Sequence, residues 1–465
     1  MSRPGLADIW PLSPMQRGML FHALYDTEAG DVYRGQVIFE LTGRLDIAAL
    51  RAAGQTLLRR YPNLRAGFRT LKSGQPVQVI AREVELPWRE VDLRGRGQLE
   101  QEVLDEDWSH RFDIVTPPLL RLTVIRLDGE RRRVVLTIHH ILSDGWSTSI
   151  LARELLELYR SRGDDSRLPA VASYRDYLEW LARQDAETAR AAWRAVLRDV
   201  EPTLLVPADA TRAPRDPAEV RIELPGALVA ELQEGARRHG VTVNTVFRAA
   251  WAILLGALTG RTDVVFGATT AGRPPVIPAI ETMVGLFINT VPVRASWNHG
   301  DSVRDLLIRL QDQQTTMLPH EHLNLADVQN LAGFRDLFDT LTVFQNYPDD
   351  TLNMHDSAGR PVDGELRLTG MDGRDATHYP LTLTAMPDRF RLSYQPGVLD
   401  RVTVEGIAAR LVGVLGQVAA DPDRLVRDVD VLLPGERDWL LTEAGVGGSG
   451  VSATVPELFT AQAAR

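Results

Sequence analysis

Two adjacent histidines, His139 and His140, are followed at short spacing by Asp144 and Gly145 in the stretch HHILSDGWS. An imidazole titrates near neutral pH, so it can accept a hydrogen bond from an attacking nucleophile and take up its proton. A glycine lets a substrate approach the backbone closely, and a backbone N–H can stabilise an oxyanion. A histidine pair alone is more often structural than catalytic, but these residue types at this spacing suit acyl transfer.

The flanking residues predict a strand, a turn and a helix. Residues 133–138 are mostly β-branched and apolar, which is typical of a buried strand. Apolar side chains then recur at helical spacing, at Ile150, Leu151, Leu155, Leu156 and Tyr159. Because neighbouring residues of an extended segment point to opposite sides, we expect His139 to face the core and His140 to face a substrate. The helix N-terminus, near Gly145 and Trp146, would place free amides and a positive dipole end close by.

The stretch HHILSDG resembles the HHxxxDG motif of the condensation domains of nonribosomal peptide synthetases, members of the chloramphenicol acetyltransferase-like superfamily. Four further segments resemble other motifs of this family in the family's order, namely residues 8–22, 60–68, 174–180 and 284–294. Residues 320–325 and 344–348 depart from the family's commonest spelling. The resemblance covers the chain from about residue 8 to residue 433.

The resemblance implies an α/β (α+β) fold made of two chloramphenicol acetyltransferase-like lobes. In this family the lobes form a V-shaped pseudo-dimer, with a tunnel between them and the second motif histidine near its middle. We therefore predict an N-terminal lobe over residues 1–170 and a C-terminal lobe over residues 171–433. Residues 434–465 are predicted to be a linker and the start of a truncated adenylation domain, because VPELF at 455–459 resembles the beginning of one.

The resemblance also implies roles for individual residues. His140 would be catalytic, and His139, Asp144 and Gly145 would support the turn. In the family an arginine of the second motif, here Arg65, pairs with the motif aspartate, so a buried Arg65–Asp144 ion pair is expected. Residues expected to line the tunnel or contact substrate are Trp146, Ser147, Phe287, Asn289, Gln345 and Tyr379.

The activity implied is peptide bond formation, in which a carrier-bound aminoacyl amine attacks a carrier-bound donor thioester. Both substrates would arrive on phosphopantetheine arms, so the expected partners are donor and acceptor peptidyl carrier domains and a downstream adenylation domain. The domain itself is expected to bind no cofactor. His320 and His322 form a His-x-His pair, but no third ligand lies at metal-binding spacing, so no metal site is predicted.

Composition limits the alternatives. The 465 residues carry 52 Lys and Arg against 62 Asp and Glu, a net charge of −10, with no clustered basic face that would suit nucleic acid. Cysteine is absent, which excludes disulfides and a cysteine nucleophile and fits a cytoplasmic location. The longest apolar helix candidate, residues 246–258, is too short to span a membrane, and the N-terminus does not resemble a signal peptide. A monomer without a membrane partner is expected.

Two other functions remain open at this stage. One is a non-catalytic, condensation-like platform that recruits partner enzymes, and the other is an acyltransferase that uses a hydroxyl acceptor. Epimerization and heterocyclization domains are disfavoured, since the former need a further acid/base group and the latter replace the histidines with aspartates. Residues 18–22, GMLFH, resemble the condensation subtype that takes a D-configured donor and an L-configured acceptor.

Overall fold

The computed structural model of the chain describes residues 5–25, 33–207, 217–345, 355–364, 366–375 and 377–442. These residues form a mixed α/β fold with two six-stranded sheets and one three-stranded sheet. Each six-stranded sheet packs with helices to make a lobe, which we call the first lobe and the second lobe. The predicted start of an adenylation domain, at residues 455–459, lies outside the described residues.

The first part of the chain, up to residue 196, alternates strands and helices. Its elements are β1 (Leu6–Trp10), α1 (Pro14–Tyr25), β2 (Arg34–Thr42), α2 (Ile47–Arg60), β3 (Ala66–Thr70), β4 (Pro76–Ala81), β5 (Trp88–Asp92), α3 (Glu100–Ser109), β6 (Leu120–Arg126), β7 (Arg131–His139), α4 (Gly145–Arg160), α5 (Tyr174–Ala182) and α6 (Ala186–Val196). The predicted strand before His140 and the helix after it are therefore β7 and α4. Asp144 begins α4 as its N-cap, since its side chain accepts a hydrogen bond from the Ser147 amide.

The rest of the chain contains two long apolar helices. Its elements are β8 (Ala218–Glu223), α7 (Gly226–His239), α8 (Val243–Thr259), β9 (Asp263–Thr270), β10 (Asn289–Ser296), α9 (Val303–Met317), α10 (Leu325–Ala332), β11 (Thr340–Phe344), β12 (His355–Asp363), β13 (Leu366–Asp375), β14 (Leu381–Ala385), β15 (Arg389–Tyr394), α11 (Arg401–Ala420) and α12 (Glu436–Thr442). Helix α8 ends at Gly260, whose φ of 68° is the left-handed conformation that glycine adopts without strain.

The sheet of the first lobe has the strand order β12-β13-β2-β7-β6-β5. All its neighbours are antiparallel except β5 and β6, which are parallel. Strands β12 and β13 come from the second part of the chain and cross over to extend this sheet beside β2. This crossover brings β13 next to the strand pair that carries His140, and the predicted boundary between the lobes at residue 170 stays a prediction.

The sheet of the second lobe has the order β10-β9-β11-β14-β15-β8, with β11 parallel to both of its neighbours. Helices α8 and α11 bury apolar side chains against it, including Trp251, Leu254, Leu411 and Leu415. The three-stranded sheet, β1-β4-β3, shares no strand with either, and its Trp10, Phe68 and Ile80 lie in the core of the first lobe. The expected two-lobed α/β fold is confirmed at this level.

Helix α11 has 20 residues and is apolar enough to cross a membrane by length and composition alone. One face of it, however, packs in the core of the second lobe, where Val404, Leu411 and Val414 have no exposed surface. Apolar helices buried in this way are a normal part of a protein core, because burial of their apolar surface is the main favourable contribution to folding.

The segment between β9 and β10 connects the two lobes. Its apolar side chains, among them Ile280, Met283, Leu286 and Phe287, belong to the core of the first lobe rather than to that of the second. The Tyr174 hydroxyl of α5 donates a hydrogen bond to the Leu286 carbonyl at 2.7 Å. Residues 271–288 therefore pack against the first lobe beside the N-terminus of α4. We call them the connecting segment.

Candidate active site

His140 lies directly after β7, an inner strand of the first-lobe sheet. Its amide donates to the Tyr33 carbonyl at 2.8 Å, which continues the pairing of β7 with β2 by one residue. The ring Nδ1 lies 3.2 Å from the Ser143 carbonyl oxygen, and Nε2 lies 2.9 Å from Oδ1 of Asp375. The side chain is 15% exposed, so the imidazole is held by the fold yet remains open to solvent.

Gly35 gives the imidazole the space to reach Asp375. The register places Gly35 of β2 between Ile138 of β7 and Asp375 of β13. A Cβ atom at position 35 would lie 3.0 Å from Cε1 and 3.1 Å from Nε2 of His140, which is closer than side-chain atoms normally approach. The absence of a side chain on the middle strand thus lets the histidine lie over that strand and meet a carboxylate on the next one.

The surroundings of His140 favour its protonated form. Burial alone would lower the pKa of this imidazole, because it disfavours the charged form. The charge and hydrogen bond of Asp375 outweigh burial, so the pKa of His140 lies above its ordinary value of 6.5. The Ser143 carbonyl and the more distant Asp144 raise the pKa further.

His139 points the other way, as the strand alternation predicts. It is 1% exposed, and its Nδ1 accepts a hydrogen bond from the Ile141 amide at 3.0 Å. Phe112 packs edge-on against the ring at a centroid distance of 6.4 Å. This buried histidine holds the turn.

Asp144 is paired with Arg273 rather than with Arg65, so the expected Arg65–Asp144 ion pair is wrong. Oδ1 of Asp144 lies 3.3 Å from Nη2 of Arg273, and the two side chains are 0% and 4% exposed. The other carboxylate oxygen accepts a hydrogen bond from the Phe287 amide at 3.0 Å. The motif aspartate therefore fastens the start of α4 to the connecting segment.

Arg65 is directed to a different part of the first lobe because it leads into β3, which pairs with β4. Its guanidinium donates to the carbonyl of Ala81 at 3.1 Å and to that of Arg82. The contact of this segment with the histidine turn is made two residues earlier, where Asn63 donates to the Leu142 carbonyl at 3.3 Å. Burial lowers the pKa of Arg65, partly offset by the charge of Glu83.

Arg273 organises the junction between the lobes. It donates to the carbonyls of Ile280 and Met283 and to the hydroxyl of Ser147. Its guanidinium lies 3.9 Å from the ring centroid of Phe287 and 5.3 Å from that of Trp146, which is the geometry of cation–π contacts. The cation is thus enclosed by aromatic rings and by acceptors from the start of α4 and from the connecting segment.

Four of the residues expected to line a tunnel or contact substrate are buried in packing contacts, and their role at a substrate stays a prediction. Ser147 has no exposed surface and donates to the Gly285 carbonyl at 2.7 Å. Phe287 is 1% exposed, and Asn289 donates to the carbonyls of Glu321 and Leu323. Tyr379 stacks on Phe338 at 5.8 Å. The hydroxyl of Ser147 thus binds the connecting segment, whereas the side-chain amide of Asn289 binds backbone carbonyls of the second part of the chain.

Three other predicted residues keep some exposure. Trp146 is half-buried, and its indole N–H donates to the Glu281 carbonyl at 2.8 Å. Gln345 is half-buried at the end of β11, where its amide donates to the Ala385 carbonyl. Gly145 is the first residue of α4, and amides in a first helical turn have no acceptor within the helix. Substrate contacts by these residues stay a prediction.

No metal site is found in the part of the chain that the structure describes, since no group of three His, Asp or Glu side chains there lies close enough to hold an ion. His322 of the His-x-His pair has its Nδ1 3.0 Å from the Pro319 carbonyl. The donor set near His140 is one imidazole and one carboxylate, which suits proton transfer better than metal coordination.

Sequence reasoning missed three functional residues. Arg273 lies in the sequence GRP at 272–274, which looks like a family segment, yet nothing local reveals its ion partner. Asp375 is 235 residues from His140, and Gly35 is one glycine of 36. The crossover of β13 brings Asp375 and Gly35 to His140, and the connecting segment brings Arg273 to Asp144.

Comparison with known proteins gives a consistent result. The family profile described as Condensation domain matches residues 6–441. A linear gramicidin synthase from Brevibacillus parabrevis is 33% identical over 456 residues, covering 93% of this chain and 9% of that protein. A mycosubtilin synthase from Bacillus subtilis is 33% identical over 476 residues, covering 99% of this chain and 18% of that protein. The chain thus spans less than a fifth of either relative.

The fold comparison agrees. A four-domain nonribosomal peptide synthetase superposes with a TM-score of 0.80 at 17% identity, over 93% of this chain and 34% of that one. The profile match includes the histidine turn, the connecting segment and the crossover strands. The chain therefore belongs to the condensation domain family.

Proposed function

We propose that this domain catalyses amide formation between two carrier-bound substrates and that His140 is its catalytic base. The observation that carries the proposal is the position of the His140 imidazole. It is fixed through Nδ1 by the Ser143 carbonyl, while its other nitrogen lies in a partly exposed site beside a carboxylate. A base must be held in place and still be reachable by its substrate, and this ring meets both demands.

The proposed reaction uses the substrates that the family relationship implies. The α-amine of the acceptor attacks the thioester carbonyl carbon of the donor, forming the C–N bond while the carbonyl electron pair moves to oxygen. The amine passes a proton to Nε2 of neutral His140. When the carbonyl re-forms, the C–S bond breaks, and the pantetheine thiolate takes the proton from Nε2. The imidazole is regenerated and the donor is now an amide of the acceptor.

Alignment supplies much of the rate in this proposal. Two tethered reactants held in contact gain up to about 7–11 kcal/mol from orientation, whereas a general base typically contributes about 10²–10⁴-fold. An α-amine titrates near pH 8, so part of it is already uncharged at neutral pH and needs no strong base. Loss of His140 is therefore expected to slow the reaction strongly without abolishing it.

The expected partners follow from the same proposal. Donor and acceptor carrier domains would present phosphopantetheine arms to a passage between the lobes, and an adenylation domain would follow residue 442. The domain itself would bind no cofactor and would work as a monomer in the cytoplasm. The resemblance of residues 18–22 to the D-donor subtype adds the proposal that the donor residue is D-configured.

The test is product formation from two loaded carriers, a D- or L-alanyl donor and a glycyl acceptor, with intact-protein mass spectrometry of the acceptor carrier. His140→Ala is expected to lower the rate of amide formation by about 10²–10⁴-fold. His299→Ala, on an exposed loop, is the matched control and should leave the rate unchanged. Equal rates for the parent and His140→Ala would contradict the catalytic role and favour the platform function.

Two further arms separate the remaining alternatives. Replacing the glycyl acceptor with a glycolyl acceptor offers a hydroxyl instead of an amine. Faster ester formation than amide formation would favour the hydroxyl acyltransferase. Equal use of D- and L-alanyl donors would rule out the D-donor subtype while leaving amide formation intact.

A further inference from the structure

Both nitrogens of the His140 ring face hydrogen-bond acceptors. Nδ1 lies 3.2 Å from a backbone carbonyl oxygen of Ser143, and Nε2 lies 2.9 Å from the Asp375 carboxylate. Neutral imidazole has one N–H and one lone pair, so it can satisfy only one of these acceptors. The imidazolium satisfies both. The arrangement in the structure is therefore an ion pair, in which His140 has no lone pair for a substrate.

This ion pair conflicts with the work of a base. A group that takes a proton from an amine must first be neutral, and its free nitrogen must face the amine. Nδ1 is turned to the Ser143 carbonyl inside the turn, so Nε2 is the nitrogen that must accept the proton. Asp375 occupies that side of the ring. Substrate binding must therefore change what Asp375 contacts.

The acceptor substrate carries a group that can make this change. Its α-amine titrates near pH 8, so at neutral pH most of it is an ammonium ion. Ammonium and imidazolium both pair with a carboxylate, but the two cations repel each other when they share one. Asp375 is 43% exposed on its side chain, so an ammonium group from solvent can reach it.

We propose that Asp375 binds the α-ammonium group of the acceptor substrate and thereby releases Nε2 of His140 to act as the base. The proposal rests on the proposed function and names the group that recognises the acceptor at that site. On binding, His140 gives the proton of Nε2 to solvent and keeps the Nδ1–H bond to Ser143. The ammonium then lies between Asp375 and the free lone pair of Nε2, and it passes one proton through Nε2 to solvent. The uncharged amine that remains has the lone pair that attacks the thioester, and it gives its second proton to Nε2, from which the departing thiolate takes it.

The fold places Asp375 for this role. It is the last residue of β13, the strand that crosses from the second part of the chain to the first sheet. Gly35 leaves the space between β13 and the imidazole clear of side-chain atoms. The preceding residue, Arg374, points to the other face of the strand, where it donates to Asp105 at 2.8 Å and lies over Trp108.

Among the described residues, two carboxylates act on the charge of His140. Asp375 on β13 is in contact, and Asp144 on the histidine's own turn acts from further away, where it is neutralised by Arg273. On the side of β2, the His140 ring lies against Gly35, which has no side chain, and the His140 amide donates to the backbone carbonyl of Tyr33. Asp375 is bonded to Nε2 and exposed, whereas Asp144 is buried, so Asp375 is the carboxylate that a substrate cation can reach.

Binding of two stable acceptor mimics tests the proposal without requiring turnover. Glycyl-aminopantetheine carries the ammonium group, and glycolyl-aminopantetheine replaces it with a hydroxyl. Isothermal titration calorimetry at pH 7 compares the parent with Asp375→Asn, which keeps the size of the side chain and its oxygen but removes the charge. The matched control is Asp372→Asn, an exposed aspartate on the opposite face of the same strand.

We expect the parent to prefer the ammonium mimic, and Asp375→Asn to weaken its binding about tenfold, equivalent to about 1.4 kcal/mol. Binding of the hydroxyl mimic should change less than twofold, and Asp372→Asn should leave both mimics unchanged. The proposal would be overturned if Asp375→Asn weakened the binding of both mimics equally. It would also be overturned if the parent did not prefer the ammonium mimic, or if it bound neither mimic measurably.

A second measurement reports on the switch itself. The parent and Asp375→Asn are labelled at Cε1 of histidine and titrated by NMR with and without the ammonium mimic, and His140→Ala assigns the signal. We expect the mimic to lower the pKa of His140 in the parent and to leave it unchanged in Asp375→Asn. An unchanged pKa in the parent would overturn the release of Nε2. Failure of the proposed function would appear elsewhere, as equal amide formation by the parent and His140→Ala.

Discussion

The buried pair of Asp144 and Arg273 gives a quantitative test of how the two parts of the chain are joined. The charged atoms are 3.3 Å apart and the side chains are 0% and 4% exposed. At an effective dielectric constant of about 20, two charges at that separation attract each other by about 5 kcal/mol. Much of this attraction compensates the cost of removing both charges from water, so breaking the pair by removing one partner should cost about 3–5 kcal/mol.

The single variants are Asp144→Asn and Arg273→Met. Asparagine retains an oxygen that can cap α4, so this variant reports mainly the lost charge. Methionine keeps an unbranched apolar side chain at this position but removes the guanidinium, which lies over the Phe287 ring and donates to the carbonyls of Ile280 and Met283. Each variant should lower the free energy of unfolding by about 3–5 kcal/mol. The double variant should lose less than the sum, by about 2–3 kcal/mol, because neither charge is then left unpaired.

The assay is urea denaturation of the purified domain, followed by far-UV circular dichroism and tryptophan fluorescence. Coincident transitions from the two probes allow the free energies to be compared as a two-state change. Arg65→Met is the matched control, because it removes an arginine that contacts backbone carbonyls and no carboxylate in the turn. Additive losses for Asp144→Asn and Arg273→Met would refute the pairing. Coupling between Asp144→Asn and Arg65→Met would favour the original expectation.

Two further changes test the site and the second lobe. Gly35→Ala should lower the rate of amide formation by about 10²-fold, because the new Cβ displaces the His140 ring. The control is Gly300→Ala, which places its Cβ in open space and should leave the rate unchanged. Equal rates for the two variants would contradict the role of Gly35. Burial raises the pKa of Glu321 from 4.5 to about 7, although the charge of Arg248 acts in the opposite direction. Between these two pH values the folded state therefore binds more protons than the unfolded state. Stability to urea should therefore fall as the pH rises from 5 to 8 in the parent and fall less in Glu321→Gln, and parallel pH profiles would contradict this reasoning.

The sequence predicts the local structure around His140 well because local patterns determine it. A β-branched run before the histidines and a helical apolar period after them define β7 and α4, and the alternation of a strand sends His139 into the core. Asp144 begins the helix as its N-cap for the same local reason. These features need only a few neighbouring residues, so they can be derived without the fold.

The partners of these residues cannot be derived in the same way. Arg273 follows Asp144 by 129 residues and Asp375 follows His140 by 235. Arginine and aspartate are common, and a sequence does not show which pair will meet. The position of Ser147 directly after the motif favours a place in a passage, yet the connecting segment covers this residue completely. Burial at this junction depends on a segment that is remote in the chain.

The second half of the chain acts on His140 by two routes. The crossover strand β13 brings Asp375 to Nε2, and the connecting segment binds Asp144 through Arg273 and the Phe287 amide. Both carboxylates raise the proton affinity of the imidazole, and both are positioned by residues that belong to the second part of the chain. Any movement of that part relative to β7 would change these contacts. We therefore expect the protonation of His140, and with it the readiness of the proposed base, to depend on how β13 and the connecting segment are held against the turn after β7.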